Sequence, residues 1–148
     1  MTGGCQCGRV RYRLRSDRVT VYACHCHQCQ KQSGSAFGLS MPVARKDFEI
    51  QGDLASWERE TESGARTTGW FCPVCGSRVF HQSSRNDASI TLKAGTLDDT
   101  SGLEPCGHLW VSCKQPWVVL DARLPAWETQ PADLSEWRAL LAGSGDKR

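Results

Sequence analysis

The stretch Cys24-His25-Cys26-His27-Gln28-Cys29 places three thiols within six residues, and no further soft ligand follows closely. Three is the informative number, because a structural zinc is normally closed by four protein ligands, whereas a catalytic one keeps three and leaves a position for water or substrate. The loop therefore reads as a candidate open metal site. The alternative is that a fourth ligand arrives from elsewhere, with His25, His27, His81, His108, Cys106 and Cys113 all available.

Two further pairs stand far apart in sequence, Cys5/Cys7 and Cys72/Cys75. A Cys-x-Cys or Cys-x-x-Cys turn can bring two sulfurs to one ion, so the two pairs together would close one structural site and pin the start of the chain to a distant hairpin. Cys72-Pro73-Val74-Cys75 also has the spacing of a redox dithiol, but that chemistry sits at a helix N-terminus in a βαβ setting. Here Gly76-Ser77-Arg78-Val79-Phe80 follows, which is strand-like. The chain holds nine cysteines. An odd total in tight groups argues for metal in a reducing compartment rather than for a disulfide framework.

The 148 residues suffice for one domain with its own core, expected over 1–142 with a loose tail at 143–148. No basic stretch followed by an apolar run opens the chain, and nowhere do 18 consecutive apolar residues occur. A soluble, cytoplasmic protein is expected. The formal charge of +2 would fall to about −1 if seven cysteines bound two zinc ions as thiolates. That is not a general nucleic-acid signature.

Most of the chain patterns as strands. Arg9 to Arg15 alternates, putting Val10, Tyr12 and Leu14 on a core face and Arg9, Arg11, Arg13 and Arg15 on the other, either solvated or serving as an anion-attracting wall. Val19 to Tyr22 should deliver the chain to Cys24, and Gln30 to Ser35 reads as a polar loop before a strand from Phe37 to Met41 that stops at Pro42. Phe48 to Ile50 and Leu54 to Trp57, separated by Gln51-Gly52-Asp53, suggest a meander, and Glu62-Ser63-Gly64 marks a turn. Thr67 to Phe71, the Cys72–Cys75 knuckle and Val79-Phe80 form a zinc-ribbon hairpin pattern. Ser89 to Ala94, Leu109 to Val111 and Trp117 to Leu120 add three strands. Only the C-terminus predicts a helix, capped by Asp133 with Leu134, Trp137, Leu140 and Leu141 on one face. The fold class is thus all-β, mainly antiparallel, with zinc knuckles and a short C-terminal helix.

Three thiolates around zinc make an anionic centre, a weaker activator of water than one with neutral ligands. Such a centre is better suited to holding a substrate sulfur, whose pKa zinc lowers. The expected chemistry is carbon–sulfur bond making or breaking. His25 and His27 flank the ligands and could relay protons, or simply pack. Cys106 and Cys113 are expected as small buried apolar residues, and Trp70, Trp110, Trp117 and Trp127 as core.

Taken together, Thr2-Gly3-Gly4-Cys5-Gln6-Cys7-Gly8-Arg9-Val10-Arg11-Tyr12, the Cys24–Cys29 loop with Ser33-Gly34-Ser35, Phe71 to Ser77, and Gly95 to Asp99 resemble the glutathione-dependent formaldehyde-activating enzymes, whose domain also occurs in centromere protein V. Pro105/His108 and Trp117 to Pro125 extend the resemblance more weakly. The resemblance implies a β-tent fold with two zinc ions, a structural one on Cys5, Cys7, Cys72 and Cys75 and a catalytic one on Cys24, Cys26 and Cys29. It also implies carbon–sulfur lyase activity on glutathione and an aldehyde, with Ser33, Gly34 and Ser35 as substrate-loop residues. The alternative is a non-catalytic two-zinc module binding nucleic acid or protein through its arginine face.

Overall fold

The computed structural model describes residues 1–61 and 64–143, and Leu134 by its backbone. The chain divides into two compact units, Met1–Asp17 with Pro42–Gly102, and Arg18–Met41 with Leu103–Arg148. In chain order the strands are β1 (Thr2–Gly4), β2 (Arg11–Leu14), β3 (Val21–Cys24), β4 (Gly38–Ala44), β5 (Phe48–Gln51), β6 (Ala55–Glu60), β7 (Arg66–Phe71), β8 (Arg78–Ser83), β9 (Asn86–Lys93), β10 (Pro105–Leu109) and β11 (Ala126–Trp127). Among the described residues there are also two helices, α1 (His27–Ser33) and α2 (Leu134–Gly143), and three short 3₁₀ turns.

In the first unit, β1, β2 and β5 form an antiparallel sheet. The expected alternation in β2 holds: Val10, Tyr12 and Leu14 are buried. Tyr12 packs on Phe48 at 5.5 Å, Phe48 on Phe80 at 5.1 Å, and Phe80 stacks on Trp70 at 4.6 Å, so aromatic contacts form the centre of this core. Gly3 is a strand residue, paired with Tyr12, rather than part of a turn, and it must be glycine because a Cβ there would stand 2.3 Å from Tyr12 Oη and 2.4 Å from Thr96 O. The turn falls at Cys5 to Gly8 instead, where the Gly8 N–H donates to Cys5 O at 3.1 Å. Strands β6, β7, β8 and β9 pair successively antiparallel. Because β5 pairs with β2 and β6 with β7, the expected meander from Phe48 to Trp57 is two strands of two different sheets. Of the expected Glu62-Ser63-Gly64 turn, Glu62 and Ser63 lie outside the described residues.

Two arginines of the β2 face are paired with carboxylates. Arg11 grips Asp98 through Nη1–Oδ1 at 2.9 Å and Nη2–Oδ2 at 2.5 Å, Thr2 Oγ1 donates to the same carboxylate at 2.7 Å, and Arg15 pairs with Glu49. Two of the four expected wall arginines are thus committed to carboxylates, which lowers the charge this face offers to an anion. The Arg11 guanidinium, then the Thr2 hydroxyl, hold the Asp98 carboxyl down at about 2 from an ordinary 3.8. Since the folded value is the lower one, the ion pair supports folding above the ordinary value and loses that contribution as pH falls through about 2. In Arg11→Ala, an NMR titration of Asp98 is expected to show its midpoint returning toward 3.8; an unmoved midpoint would remove Arg11 as the cause.

In the second unit, β3 pairs antiparallel with β4 and parallel with β10, which in turn pairs parallel with β11. Pro42 does not stop β4, which continues to Ala44. The strand expected at Leu109 to Val111 instead ends at Leu109, because Trp110 turns into left-handed backbone at φ 60. Trp117 to Leu120 forms no strand; Trp117 and Val119 are 73% and 92% exposed, so this apolar run lacks the packed face a strand needs, and Trp117 is not core. The C-terminal helix forms as expected, with Asp133 Oδ1 accepting from Ser135 N at 2.7 Å, and it buries Trp137 edge-on against Tyr22 and Trp127. Gly143 is its last residue, and positions 144–148 of the expected tail lie outside the described residues.

Candidate metal centres

Two cysteine groups converge, each with its sulfurs within 4.8 Å of one another: Cys5, Cys7, Cys72 and Cys75, and Cys24, Cys26 and Cys29. In the first, Cys5 and Cys7 Sγ lie 3.5 Å apart and Cys7 and Cys72 Sγ 3.8 Å. A tetrahedral ion with zinc–thiolate bonds of about 2.3 Å has sulfur–sulfur edges of about 3.8 Å, so the donor set fits such a metal. Antiparallel β7 and β8 position the second pair, with Cys72 N donating to Ser77 O at 3.0 Å and Gly76 N to Cys72 O at 2.9 Å. The sulfurs are themselves tuned: Val10 N donates to Cys5 Sγ at 3.2 Å, and Ser77 lies 3.3 Å from Cys75 Sγ. The Ser77 hydroxyl and then its backbone N–H pull the Cys75 thiol down to about 5, which favours a thiolate. Burial works against ionising Cys5, yet the Val10 N–H with the Cys7 and Cys72 thiols outweighs it, and the net shift is downward.

In the second group Cys24 ends β3, and Cys26 stands at the start of α1. Cys24 and Cys26 Sγ are 3.5 Å apart, and Cys26 Sγ accepts from Cys29 N at 3.4 Å. Cys26 is thus both a metal-ligand candidate and the N-cap of α1. The Cys24 and then the Cys29 thiols donate toward Cys26 and hold it near 2, while the same contacts push Cys24 up. The neighbouring thiols thus favour a thiolate at Cys26, and a bound metal would displace the remaining thiol protons. Among the described residues no fourth His, Cys, Asp or Glu atom joins these three sulfurs.

The sequence model of the glutathione-dependent formaldehyde-activating enzymes matches residues 1–113. The chain belongs to this family. Among solved structures it is similar to a Rhodobacter sphaeroides protein, with a TM-score of 0.55 and 18% identity over 86% of this chain and 100% of that one, which shows a shared fold.

The histidines of this family member divide by position. His25, between two cysteines of the three-thiol group, is 0% exposed. Its backbone N–H donates to Leu109 O at 2.9 Å, its ring packs on Phe37, and its Nε2 lies 3.1 Å from Nδ1 of His108. Burial first, then the neighbouring His108 and Lys114, hold the His25 imidazole down at about 4, so it is neutral near pH 7. His27 is an exposed residue in the first turn of α1, and His81 lies on β8. Cys106 and Cys113 are half-buried and belong to neither sulfur group.

Ser33, Gly34 and Ser35 are exposed at the end of α1 rather than in an extended loop. Gly34 caps the helix at φ 60, a conformation glycine adopts without steric cost, and Ser33 Oγ lies 2.8, 3.3 and 3.0 Å from the carbonyls of Cys29, Gln30 and Phe37. The sequence reading missed α1 and, with it, Gln30. This side chain donates to His25 O at 2.6 Å and Cys113 O at 2.9 Å and accepts from Gln115 at 2.8 Å. Nothing in its local sequence marks it, because two of its three partners, Cys113 and Gln115, lie more than eighty positions along the chain.

Proposed function

We propose that this protein is a zinc-dependent carbon–sulfur lyase acting on glutathione or a related thiol adduct, such as in the formation and cleavage of S-hydroxymethylglutathione. The observation that carries the reading is the convergence of three thiols, Cys24, Cys26 and Cys29, with no fourth candidate ligand among the described residues, in a chain that also holds a group of four. In this reading Cys5, Cys7, Cys72 and Cys75 hold a structural zinc and the three-thiol group holds the catalytic one. A zinc bound by three thiolates would accept a substrate sulfur and lower its pKa toward neutrality.

The reaction adds a thiol to an aldehyde: a carbon–sulfur bond forms, the carbonyl π bond breaks, and the thiol proton ends on the former carbonyl oxygen. The chain's part is to hold three sulfurs together as the ligands such a metal would need, and to keep the imidazole between two of them neutral. His25, buried and neutral, adds no positive charge that would compete with a metal for the thiolates. The exposed turn Ser33-Gly34-Ser35 follows the same helix that carries Cys29, and we assign it to the thiol substrate's approach. Seven reduced thiols would persist in the cytoplasm, where we place the protein. No described helix is long and apolar enough to cross a membrane.

Titrating the cobalt-substituted protein with glutathione is expected to change the thiolate-to-cobalt absorption of one of two cobalt ions per chain, with saturation. No spectral change with glutathione and several other low-molecular-weight thiols would overturn the reading.

A further inference from the structure

The geometry points to Gln30 as a positioning residue that sets the pitch of the Cys24–Cys26–Cys29 loop and ties it to the 113–115 segment. This rests on reading that cluster as a metal site. His25 is the residue between the first two cysteines, so the peptide planes on its two sides determine how far apart those sulfurs stand. Both of its backbone groups are anchored. The N–H is held by Leu109 O of β10 at 2.9 Å, and the carbonyl is held by Gln30 Nε2 at 2.6 Å.

The Gln30 side chain leaves no hydrogen-bonding capacity of its nitrogen unused. Its two N–H groups go to two carbonyls, His25 O and Cys113 O, and its Oε1 accepts from Gln115 Nε2 at 2.8 Å. The amide orientation follows from this set, since a flipped amide would set an oxygen against both carbonyls. Gln30 also belongs to α1 through its own N–H, which donates to Cys26 O at 3.0 Å. One residue therefore fixes the carbonyl between two ligand candidates, the helix that carries the third, and a segment more than eighty positions away. Three thiolates drawn to one point repel each other, and a loop free to open would relieve that repulsion by separating them. Gln30 holds it closed.

The test is cobalt binding to the full chain, read by thiolate-to-metal absorption against a competing chelator, with the four-cysteine group as internal reference. Gln30→Met keeps the length of the side chain and removes all three hydrogen bonds. It is expected to weaken cobalt binding at the three-thiol group by about 10–100-fold, the range typical for residues that orient metal ligands, with the four-thiol group unchanged. A purely space-filling role would leave the affinity of the three-thiol group unchanged in Gln30→Met, whose side chain fills nearly the same space. Gln115→Leu, which removes one neutral hydrogen bond to Gln30, is expected to cost about fivefold and serves if Gln30→Met does not fold.

Unchanged affinity of the three-thiol group in Gln30→Met, or in Gln115→Leu where that alone can be purified, would overturn the inference. An equal fall at both groups would overturn it too, because that is general destabilisation. If the unmodified chain takes up cobalt only at the four-thiol group, the metal-site reading itself fails, and this is seen before any variant is made.

Discussion

Cys26→Ser is expected to abolish thiol-adduct turnover while leaving the fold intact. Two roles of one sulfur make this substitution informative: Cys26 Sγ stands 3.5 Å from Cys24 Sγ in the candidate metal centre, and it caps α1 by accepting from Cys29 N at 3.4 Å. Serine is among the best N-cap residues, so the helix keeps its cap. A serine hydroxyl is not ionised near neutral pH and is a poor zinc ligand, so the metal centre loses one of three anchors. A metal that stabilises developing charge contributes several kcal/mol, so kcat/KM should fall by about 10³-fold or more. Metal content should drop from two ions per chain to one, with the circular dichroism spectrum unchanged. Full activity, or retention of both ions at wild-type affinity, would remove Cys26 from the centre.

The second large effect is expected at the other sulfur group. Cys72 is fully buried, opens the knuckle between β7 and β8, and meets Cys7 from the turn between β1 and β2 at 3.8 Å. Structural zinc in small domains carries about 10–16 kcal/mol of apparent binding free energy. A whole domain of this size is stable by only about 5–15 kcal/mol. Cys72→Ser is therefore expected to leave the first unit unfolded or loosely packed at 25 °C, with amide exchange rising across β1, β2, β7 and β8 and the near-ultraviolet signal of Trp70, stacked on Phe80, collapsing. Cys7, the exposed member of the group, should be milder as serine because solvent reaches that side. A melting temperature for Cys72→Ser within about 5 °C of wild type, about 1 kcal/mol for a domain of this size, would mean the group does not brace the fold.

Much of this was legible because it is local. Cys5/Cys7 and Cys72/Cys75 are turn spacings, and a turn of that length brings two sulfurs together with little dependence on the rest of the chain. Alternation in Val10, Tyr12 and Leu14 located β2, and Asp133 with Trp137 located α2. The misses have physical causes. Helix α1 has seven residues, below the length at which an isolated helix is stable, and none of its residues is buried, so it carries no apolar period. It exists because a cysteine caps it, Gly34 ends it at φ 60, and Gln30 is clamped from outside. At Trp117 to Leu120 the composition suits a strand, but no partner strand meets it among the described residues.

The sequence by itself determined the local sulfur groups, Cys5/Cys7, Cys24/Cys26/Cys29 and Cys72/Cys75, because near neighbours on a short turn cannot easily avoid one another; that the first and last pairs meet, 65 positions apart, was decided by the tertiary structure. Only the tertiary structure, too, decided what surrounds them. Parallel pairing of β3 with β10 sets His108 beside His25 at 3.1 Å, and the segment after β10 supplies Cys113 O and Gln115 to Gln30. These contacts span more than eighty residues, so strand pairing rather than spacing selects them.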